Sequence, residues 1–177
     1  ILTLLPKHGF RVLIGILAAY IALAPLFFGS VIRFLKVTGL PLPGSFQSRL
    51  WAWERVIEIT MEKPIFGHGI GASKLWRETY GDHPQWLANL PAHWQHYPVI
   101  PGHPHNMPLQ IWAETGLVGA GLIAWALAVL ALRLPAPSTL RPDVRYAVGG
   151  LIGAVFALIS TSYSMWNEAF WASVVLA

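Results

Sequence analysis

Three long stretches of apolar residues divide the chain into segments of very different character. They occupy residues 12–29, 115–132 and 146–166, and none of them contains a charged side chain. About 20 apolar residues are needed to cross about 30 Å of hydrocarbon, so each stretch predicts a transmembrane helix. Residues 169–177 are again apolar and predict the beginning of a fourth span.

This pattern predicts an all-α fold, a fragment of a multi-pass transmembrane helix bundle that forms a single membrane domain over residues 1–177. The spans are expected over residues 10–29, 106–132 and 146–166, with a partial span from residue 169. The chain begins with Ile rather than Met, and its last apolar stretch is short. We therefore interpret it as the C-terminal part of a longer protein.

The composition and the placement of charge agree with a membrane protein. Hydrophobic residues make up 55% of the chain and charged residues only 11%, whereas soluble domains average about 25% charged residues. Lys7 and Arg11 flank the first span, and Arg133, Arg141 and Arg145 surround the short link between the second and third spans. Basic residues next to spans favour the cytoplasmic side, so both places are predicted to be cytoplasmic.

The segment between the first two spans, residues 30–104, is therefore predicted to be a large periplasmic loop. Residues 48–63 carry apolar side chains at helical spacing, with Ser48 as the expected N-cap and Pro64 as the stop signal. Tryptophans on this segment suit an amphipathic helix at the membrane interface. The proline-rich residues 80–104 show no period and are predicted to be irregular.

The second span begins with polar residues rather than apolar ones. His105 and Asn106 directly precede its first turn, and Pro108 is tolerated there because the N–H that proline lacks would be unpaired anyway. His105 is thus expected at a helix N-terminus on the outer membrane surface. Asn106 can cap the helix or hold the histidine ring, and capping is favoured.

Two motifs with distinctive spacing occur along the chain. The first is Ser48-Arg49 with Trp51, followed by a helix and the stretch Pro64-Ile65-Phe66-Gly67-His68-Gly69-Ile70-Gly71; the second is His105-Asn106, nine residues, Gly116, two residues and Gly119. Their order, spacing and membrane setting resemble those of the O-antigen ligase and polymerase superfamily, and the resemblance extends over about residues 48–132. The chain departs from the family at His68, where a small apolar residue is usual, and at Ala120, where ligases often carry Thr or Val.

The resemblance implies a membrane glycosyltransferase, related to the protein O-oligosaccharyltransferases. Such an enzyme moves a glycan from an undecaprenyl-diphosphate carrier to a hydroxyl acceptor on the periplasmic face, with no metal, cofactor or nucleic acid partner. The acceptor can be a lipopolysaccharide core, a growing glycan or a protein. The alternative function is non-enzymatic: a protein that binds or transports lipid-linked glycan, or a membrane scaffold.

A lipid-borne diphosphate needs guanidinium groups, which bind phosphate oxygens in a bidentate manner. Arg49 and Arg55 both lie on the predicted 48–63 helix. Arg55 has Glu58 three residues later and Glu54 beside it, so a salt bridge can occupy it. Arg49 has no acid within one turn and is the freer candidate, although contact with lipid headgroups would also explain it.

The acceptor hydroxyl must lose its proton as it attacks the anomeric carbon. Histidine, with an ordinary pKa near ~6.5, can accept this proton, and a helix N-terminus disfavours the imidazolium form. His105 is therefore the candidate catalytic residue, either as a base or as a group that orients the hydroxyl; a simple interfacial cap is the alternative. We expect Arg49 and His105 to share one extracytoplasmic pocket at the lipid boundary.

Several further residues are predicted to support the site through structure. Glu114 lies nine positions after His105, about half a turn out of phase on a 3.6-residue helix, and so faces away from it. A carboxylate this near an apolar run needs a partner, and a structural role is favoured. Small residues at Gly116, Gly119 and Gly121 favour close helix packing.

The glycines of the 64–71 stretch are not a dinucleotide fingerprint, because no strand precedes them and their spacing is wrong. Gly67, Gly69 and Gly71 instead predict a tight turn. Backbone N–H groups offered to a phosphate are the second possibility for this turn.

The loop also contains many histidines and tryptophans. A metal site is disfavoured, because prolines crowd the histidines and Asp82 is the one acid within residues 80–104 that could help. The tryptophans can stack on sugar rings or anchor the loop among lipid headgroups, and anchoring is favoured. The histidines are His83, His93, His96, His103 and His105, and the tryptophans are Trp76, Trp86 and Trp94.

Overall fold

The computed structural model describes residues 5–87, 90–162 and 164–176, and over these residues the fold is built from helices. The one strand-like pairing among them is an isolated bridge between Thr79 and Pro98. The prediction of an all-α fold is confirmed. The α-helices are α1 (Gly9–Ala22), α2 (Ala24–Thr38), α3 (Gly44–Glu62), α4 (Pro84–Leu87), α5 (Met107–Arg133), α6 (Pro142–Thr161) and α7 (Glu168–Leu176), and short 3-10 helices cover Ala72–Leu75, Tyr80–Asp82, Ala92–His96 and Pro137–Thr139.

The first apolar stretch is broken rather than straight, so the expected single helix over residues 10–29 is wrong. Helix α1 ends at Ala22, and the chain turns by 76° into α2. Pro25 lies in the first turn of α2; proline lacks an N–H and its ring would clash with the preceding helical turn, which explains the break. Helix α2 then continues to Thr38, nine residues into the segment predicted to be loop.

Two of the described helices, α5 and α6, are long and apolar enough to cross a membrane, and the bent pair α1–α2 can count as one more candidate span. Helix α6 begins at Pro142 and ends at Thr161, so the predicted third stretch ends earlier than residue 166; Tyr163 lies outside the described residues. The partial span expected from residue 169 corresponds to α7.

Helices α5 and α6 run antiparallel, and the fold therefore has two distinct ends. At one end, which we call the histidine end, the N-terminus of α5 meets Ser162 at the C-terminus of α6. At the other, the basic end, the Ser138 backbone N–H donates to the Pro6 carbonyl at 2.8 Å. Lys7 and the link between α5 and α6 thus lie at the same end of the molecule.

Helix α3 is longer and more deeply packed than the sequence pattern indicates. It begins at Gly44 with Pro43 as N-cap, so Ser48 lies inside the helix and is not its cap. Both Trp51 and Trp53 are buried, at 9% and 3% exposure, and the Trp53 ring packs 4.9 Å from that of Phe28 on α2. Both rings therefore pack against neighbouring protein elements and do not form an exposed lipid-facing side of α3, while the position of this helix at the membrane interface stays a prediction.

Helix α5 is interrupted at Gly116, where φ is 62° and ψ is −162°. The turn after α3 fills the interruption: the N–H groups of His68 and Gly69 donate to the carbonyls of Ala113 and Glu114, and the N–H groups of Leu117 and Val118 donate to the carbonyls of Pro64 and Ile65. Two hydrogen bonds that a continuous helix would make are thereby replaced by four to the turn. Gly116 therefore admits a turn rather than a second helix.

Candidate functional site

A cavity of about 410 Å³ opens at the histidine end, between the first turns of α3 and the loop that precedes α5. Arg49 and His105 both lie in its wall, so the structure brings the two residues into one cavity as the sequence predicted. We call it the Arg49–His105 pocket. The rest of its lining is Ser45, Ser48, Ala52, Tyr80, His93, Trp94, Tyr97, Pro98, Val99 and Pro101.

His105 lies two residues before Met107, the first residue of α5, which confirms its predicted place at the N-terminus of this helix. Asn106 is the N-cap, and its side-chain oxygen accepts from the Leu109 N–H at 3.0 Å, so the favoured capping role is the one observed. The His105 Nδ1 lies 3.3 Å from the Ser162 carbonyl oxygen. Because a carbonyl can only accept, Nδ1 carries the proton in this contact and Nε2 keeps a lone pair.

The surroundings of His105 favour a neutral ring. Burial, first of all, lowers the pKa of His105, and the neighbouring His103 and Arg49 lower it further. The His103 ring centroid lies 4.3 Å from that of His105, and the Ser162 carbonyl acts in the opposite direction. The sequence predicted a neutral ring from the helix N-terminus, and the structure adds burial and the two neighbouring side chains as further causes.

The two candidate arginines have different surroundings. Arg55 donates from Nε and Nη2 to the Glu78 carboxylate at 2.6 Å each and from Nη1 to Glu58 at 3.0 Å. The hydrogen bond from Arg55 lowers the pKa of Glu78. The predicted pair with Glu58 is confirmed, the pair with Glu78 was not foreseen, and Arg55 does not line the pocket.

Arg49 is half-buried in the pocket wall. No salt bridge to Arg49 forms within the part of the chain that the structure describes. Among the described residues that line this cavity, Arg49 is therefore the guanidinium available to an anion. This agrees with the prediction from the sequence that Arg49 is freer than Arg55 to bind a phosphate.

Glu114 is buried at 1% exposure and is surrounded by hydrogen-bond donors. The sequence predicted that this carboxylate needs a partner, and the structure provides several neutral hydrogen-bond donors rather than a cation. Glu114 does not line the pocket and joins α5 to the turn after α3 and to the segment before α7. Its donors are the Gly71 N–H at 2.8 Å, the Ser73 hydroxyl at 2.6 Å and N–H at 3.4 Å, the Gln110 amide at 3.0 Å and the Trp166 indole at 2.6 Å.

The glycine turn is a structural insert and not an open phosphate cradle. The N–H groups of Gly67, His68 and Gly69 donate to backbone carbonyls, and that of Gly71 donates to Glu114. Since these donors are occupied, the second possibility weighed for the turn is not supported. Gly67 has φ 70°, and a Cβ there would collide with the α5 backbone at Glu114, which explains the need for glycine.

The loop tryptophans play different parts. Trp86 is buried and stacks on Trp51 with ring centroids 5.9 Å apart. Trp76 packs edge-on against His68. Neither ring lines the pocket. Trp94 is half-buried in the pocket wall. No group of three histidine or acidic residues placed to hold a metal ion occurs among the residues that the structure describes.

One contact at the site was missed from the sequence altogether. The Trp53 indole N–H donates to the Pro104 carbonyl at 2.9 Å. Trp53 lies four residues after Arg49, on the same side of α3, and Pro104 directly precedes His105. The i, i+4 spacing from Arg49 was visible in the sequence, but its partner 51 residues away was not.

A family model for O-antigen ligases matches residues 1–124, well over half of the chain. The chain belongs to the O-antigen ligase family. Both motifs and the whole Arg49–His105 pocket of this O-antigen ligase family member lie within the matched residues.

Among known proteins, a Rickettsia conorii protein that carries the provisional name polysaccharide ligase is 35% identical over 71 residues. Those residues are 40% of this chain and 16% of the relative, so this family member corresponds to a small part of the relative's length. No solved structure matches the chain.

Proposed function

We propose that this O-antigen ligase family member forms the catalytic part of a membrane glycosyltransferase. In this proposal the donor is a glycan on undecaprenyl diphosphate, and the acceptor is a hydroxyl of the lipopolysaccharide core. The reaction takes place at the periplasmic face of the bacterial inner membrane and needs no metal. The observation that carries the proposal is that Arg49, which has no salt bridge within the described part of the chain, and His105, whose pKa is lowered by burial, line one cavity.

The two groups match the two charges that the reaction creates. Arg49 binds the diphosphate oxygens and stabilises the negative charge that grows on the leaving group. The acceptor oxygen forms a new bond to the anomeric carbon while the bond from that carbon to the diphosphate oxygen breaks, and undecaprenyl diphosphate leaves. The acceptor proton passes to His105 Nε2, the ring nitrogen that the Ser162 carbonyl leaves free.

The position of the pocket suits a donor that is anchored in lipid. The pocket lies at the histidine end, where the candidate spans α5 and α6 terminate. A polyprenyl chain in the bilayer would bring its diphosphate to this level. The half-buried Trp94 and exposed Tyr97 in the same wall offer aromatic surface to the first sugars of the glycan.

The proposal is tested by transfer assays on the full-length protein with purified carrier-linked glycan and lipid A–core, without added metal or nucleotide. His105→Ala should lower kcat by on the order of a hundredfold or more, because it removes the proton acceptor. Arg49→Ala should raise the donor KM roughly tenfold or more, since it deletes charged hydrogen bonds. Arg55→Ala is the matched control: an arginine on the same helix that is paired with Glu78, expected to change thermal stability more than KM.

Wild-type transfer rates in a well-folded His105→Ala protein would refute the proposed chemistry. Donor binding without turnover in the wild-type protein would instead favour a transport or scaffold protein. Parallel assays that offer free glycan or a protein substrate separate a polymerase and a protein O-oligosaccharyltransferase from the core ligase.

A further inference from the structure

The backbone of His105 is held in an unusual conformation. Its φ of 51° makes it the one non-glycine residue with positive φ in the described part of the chain. Side chains with a Cβ rarely adopt this region, and such conformations persist only where the surroundings fix them. The structure must therefore contain contacts that hold both neighbours of His105.

The two neighbours are each fixed by one buried contact. After His105, Asn106 is fully buried and caps α5 through the Leu109 N–H. Before it, Pro104 is fully buried, and its carbonyl accepts from the Trp53 indole at 2.9 Å. The cap belongs to the helix that follows His105, whereas the indole comes from α3, across the pocket.

Helix α3 thus contributes to both halves of the pocket. Arg49 and Trp53 are four residues apart, so they lie one turn apart on the same side of the helix. Arg49 reaches the pocket directly, and Trp53 holds the carbonyl bonded to the nitrogen of His105. The backbone of Arg49 and the backbone that precedes His105 are therefore connected through one helix.

We propose that Trp53 is a positioning residue for His105: its indole N–H locks the Pro104 carbonyl, keeps His105 in its left-handed conformation and sets the separation between the phosphate-binding Arg49 and the base. The inference rests on the proposed function, because it assigns Trp53 a part in proton transfer at the same site. Without the hydrogen bond, His105 can relax towards a common backbone conformation, and its ring leaves the position that faces the pocket.

The test is Trp53→Phe in the full-length protein, which keeps an aromatic ring and removes the donor. Trp112→Phe is the matched control, since its indole donates to the Ile21 carbonyl at 2.8 Å and lies outside the pocket lining. We expect Trp53→Phe to lower kcat by on the order of tenfold or more, because a small misplacement of a reacting group is costly. The donor KM should stay within about twofold, since Arg49 remains on its helix.

A readout that does not depend on activity is 15N NMR of histidine-labelled protein in lipid nanodiscs. In the wild-type protein and in Trp112→Phe, His105 should show the Nδ1–H tautomer that its contact with the Ser162 carbonyl requires. In Trp53→Phe this signal should shift to a mixture of tautomers.

Equal losses of kcat in the two tryptophan variants, or an unchanged His105 signal in a folded Trp53→Phe protein, would overturn the inference. Retained transfer by His105→Ala is a separate result. It would remove the proposed chemistry, while the NMR comparison would still decide whether Trp53 holds the ring.

Discussion

A histidine can accept a proton only while its ring is uncharged, and the pocket maintains that state through several contributions. Burial lowers the pKa of His105, and the nearby His103 and Arg49 act in the same direction. The guanidinium that would bind the donor therefore also helps to keep the base neutral. In the proposed reaction, the side chain that binds phosphate would thus also influence the protonation of the side chain that accepts the proton.

The pH dependence of transfer should report this arrangement. A lowered pKa means that the neutral ring persists as pH falls, so the acid limb of kcat/KM should have its midpoint below the ordinary histidine value of 6.5. His103→Gln removes a neighbouring charge that lowers the His105 pKa, and should move the midpoint to higher pH. Measurements of kcat/KM against pH for the wild-type protein and His103→Gln test both expectations. A wild-type midpoint above pH 6.5 would contradict the lowered pKa of His105.

Sequence reasoning at the residue scale worked where local spacing carried the information. The absence of an acid within one turn singled out Arg49, and the place of Asn106 before an apolar helix predicted its cap. The partner of Arg55 is Glu78, 23 residues away, and the partner of Trp53 is Pro104. Contacts between segments far apart in the chain leave no periodic signal, so these two could not be predicted.

At the scale of elements, the main feature is the turn that inserts into α5. The Gly116 break leaves carbonyls and N–H groups of the helix unpaired, and the turn after α3 pairs with them. Glu114, two residues before the break, accepts a hydrogen bond from the Gly71 N–H at the far end of the same turn. The two family motifs, which are separated by more than 30 residues in the chain, are therefore one structural unit.

Gly116→Ala should destabilise the protein by on the order of 1–3 kcal/mol or more. Its φ of 62° and ψ of −162° belong to a region essentially restricted to glycine, and a Cβ would collide with the Ile65 carbonyl. Gly121→Ala is the control on the same helix, because a Cβ there meets open space and alanine favours helix by up to about 1 kcal/mol. Unfolding in detergent measures both, and equal effects would show that the break is not required.

At the scale of the whole molecule, the described helices connect two chemically different ends. The basic end carries Lys7 and the link between α5 and α6, which are joined by the hydrogen bond from Ser138 to Pro6. The histidine end carries the pocket. If the basic end is cytoplasmic, as the charge distribution favours, the pocket faces the periplasm, where the proposed donor and acceptor meet.

Cysteine labelling of intact cells tests this sidedness. The chain has no cysteine, so Ala92→Cys near the pocket and Ser138→Cys at the basic end provide single exposed sites in this part of the protein, once any other cysteines of the full-length protein are replaced. A membrane-impermeant maleimide should label the first site from outside and the second only after permeabilisation. Labelling of both from the same side would exclude the proposed topology.

The sequence by itself determined that the protein is helical and apolar enough for a membrane, that His105 begins a long helix, and that Arg49 is the less engaged arginine. These properties depend on composition and on neighbours within one or two turns. Only the tertiary structure decided the bend before α2 and the burial of the α3 tryptophans. It also decided that a turn inserts into α5 at Gly116 and that neutral hydrogen-bond donors surround Glu114. Each of these depends on which distant segments pack together, and local spacing does not encode that choice.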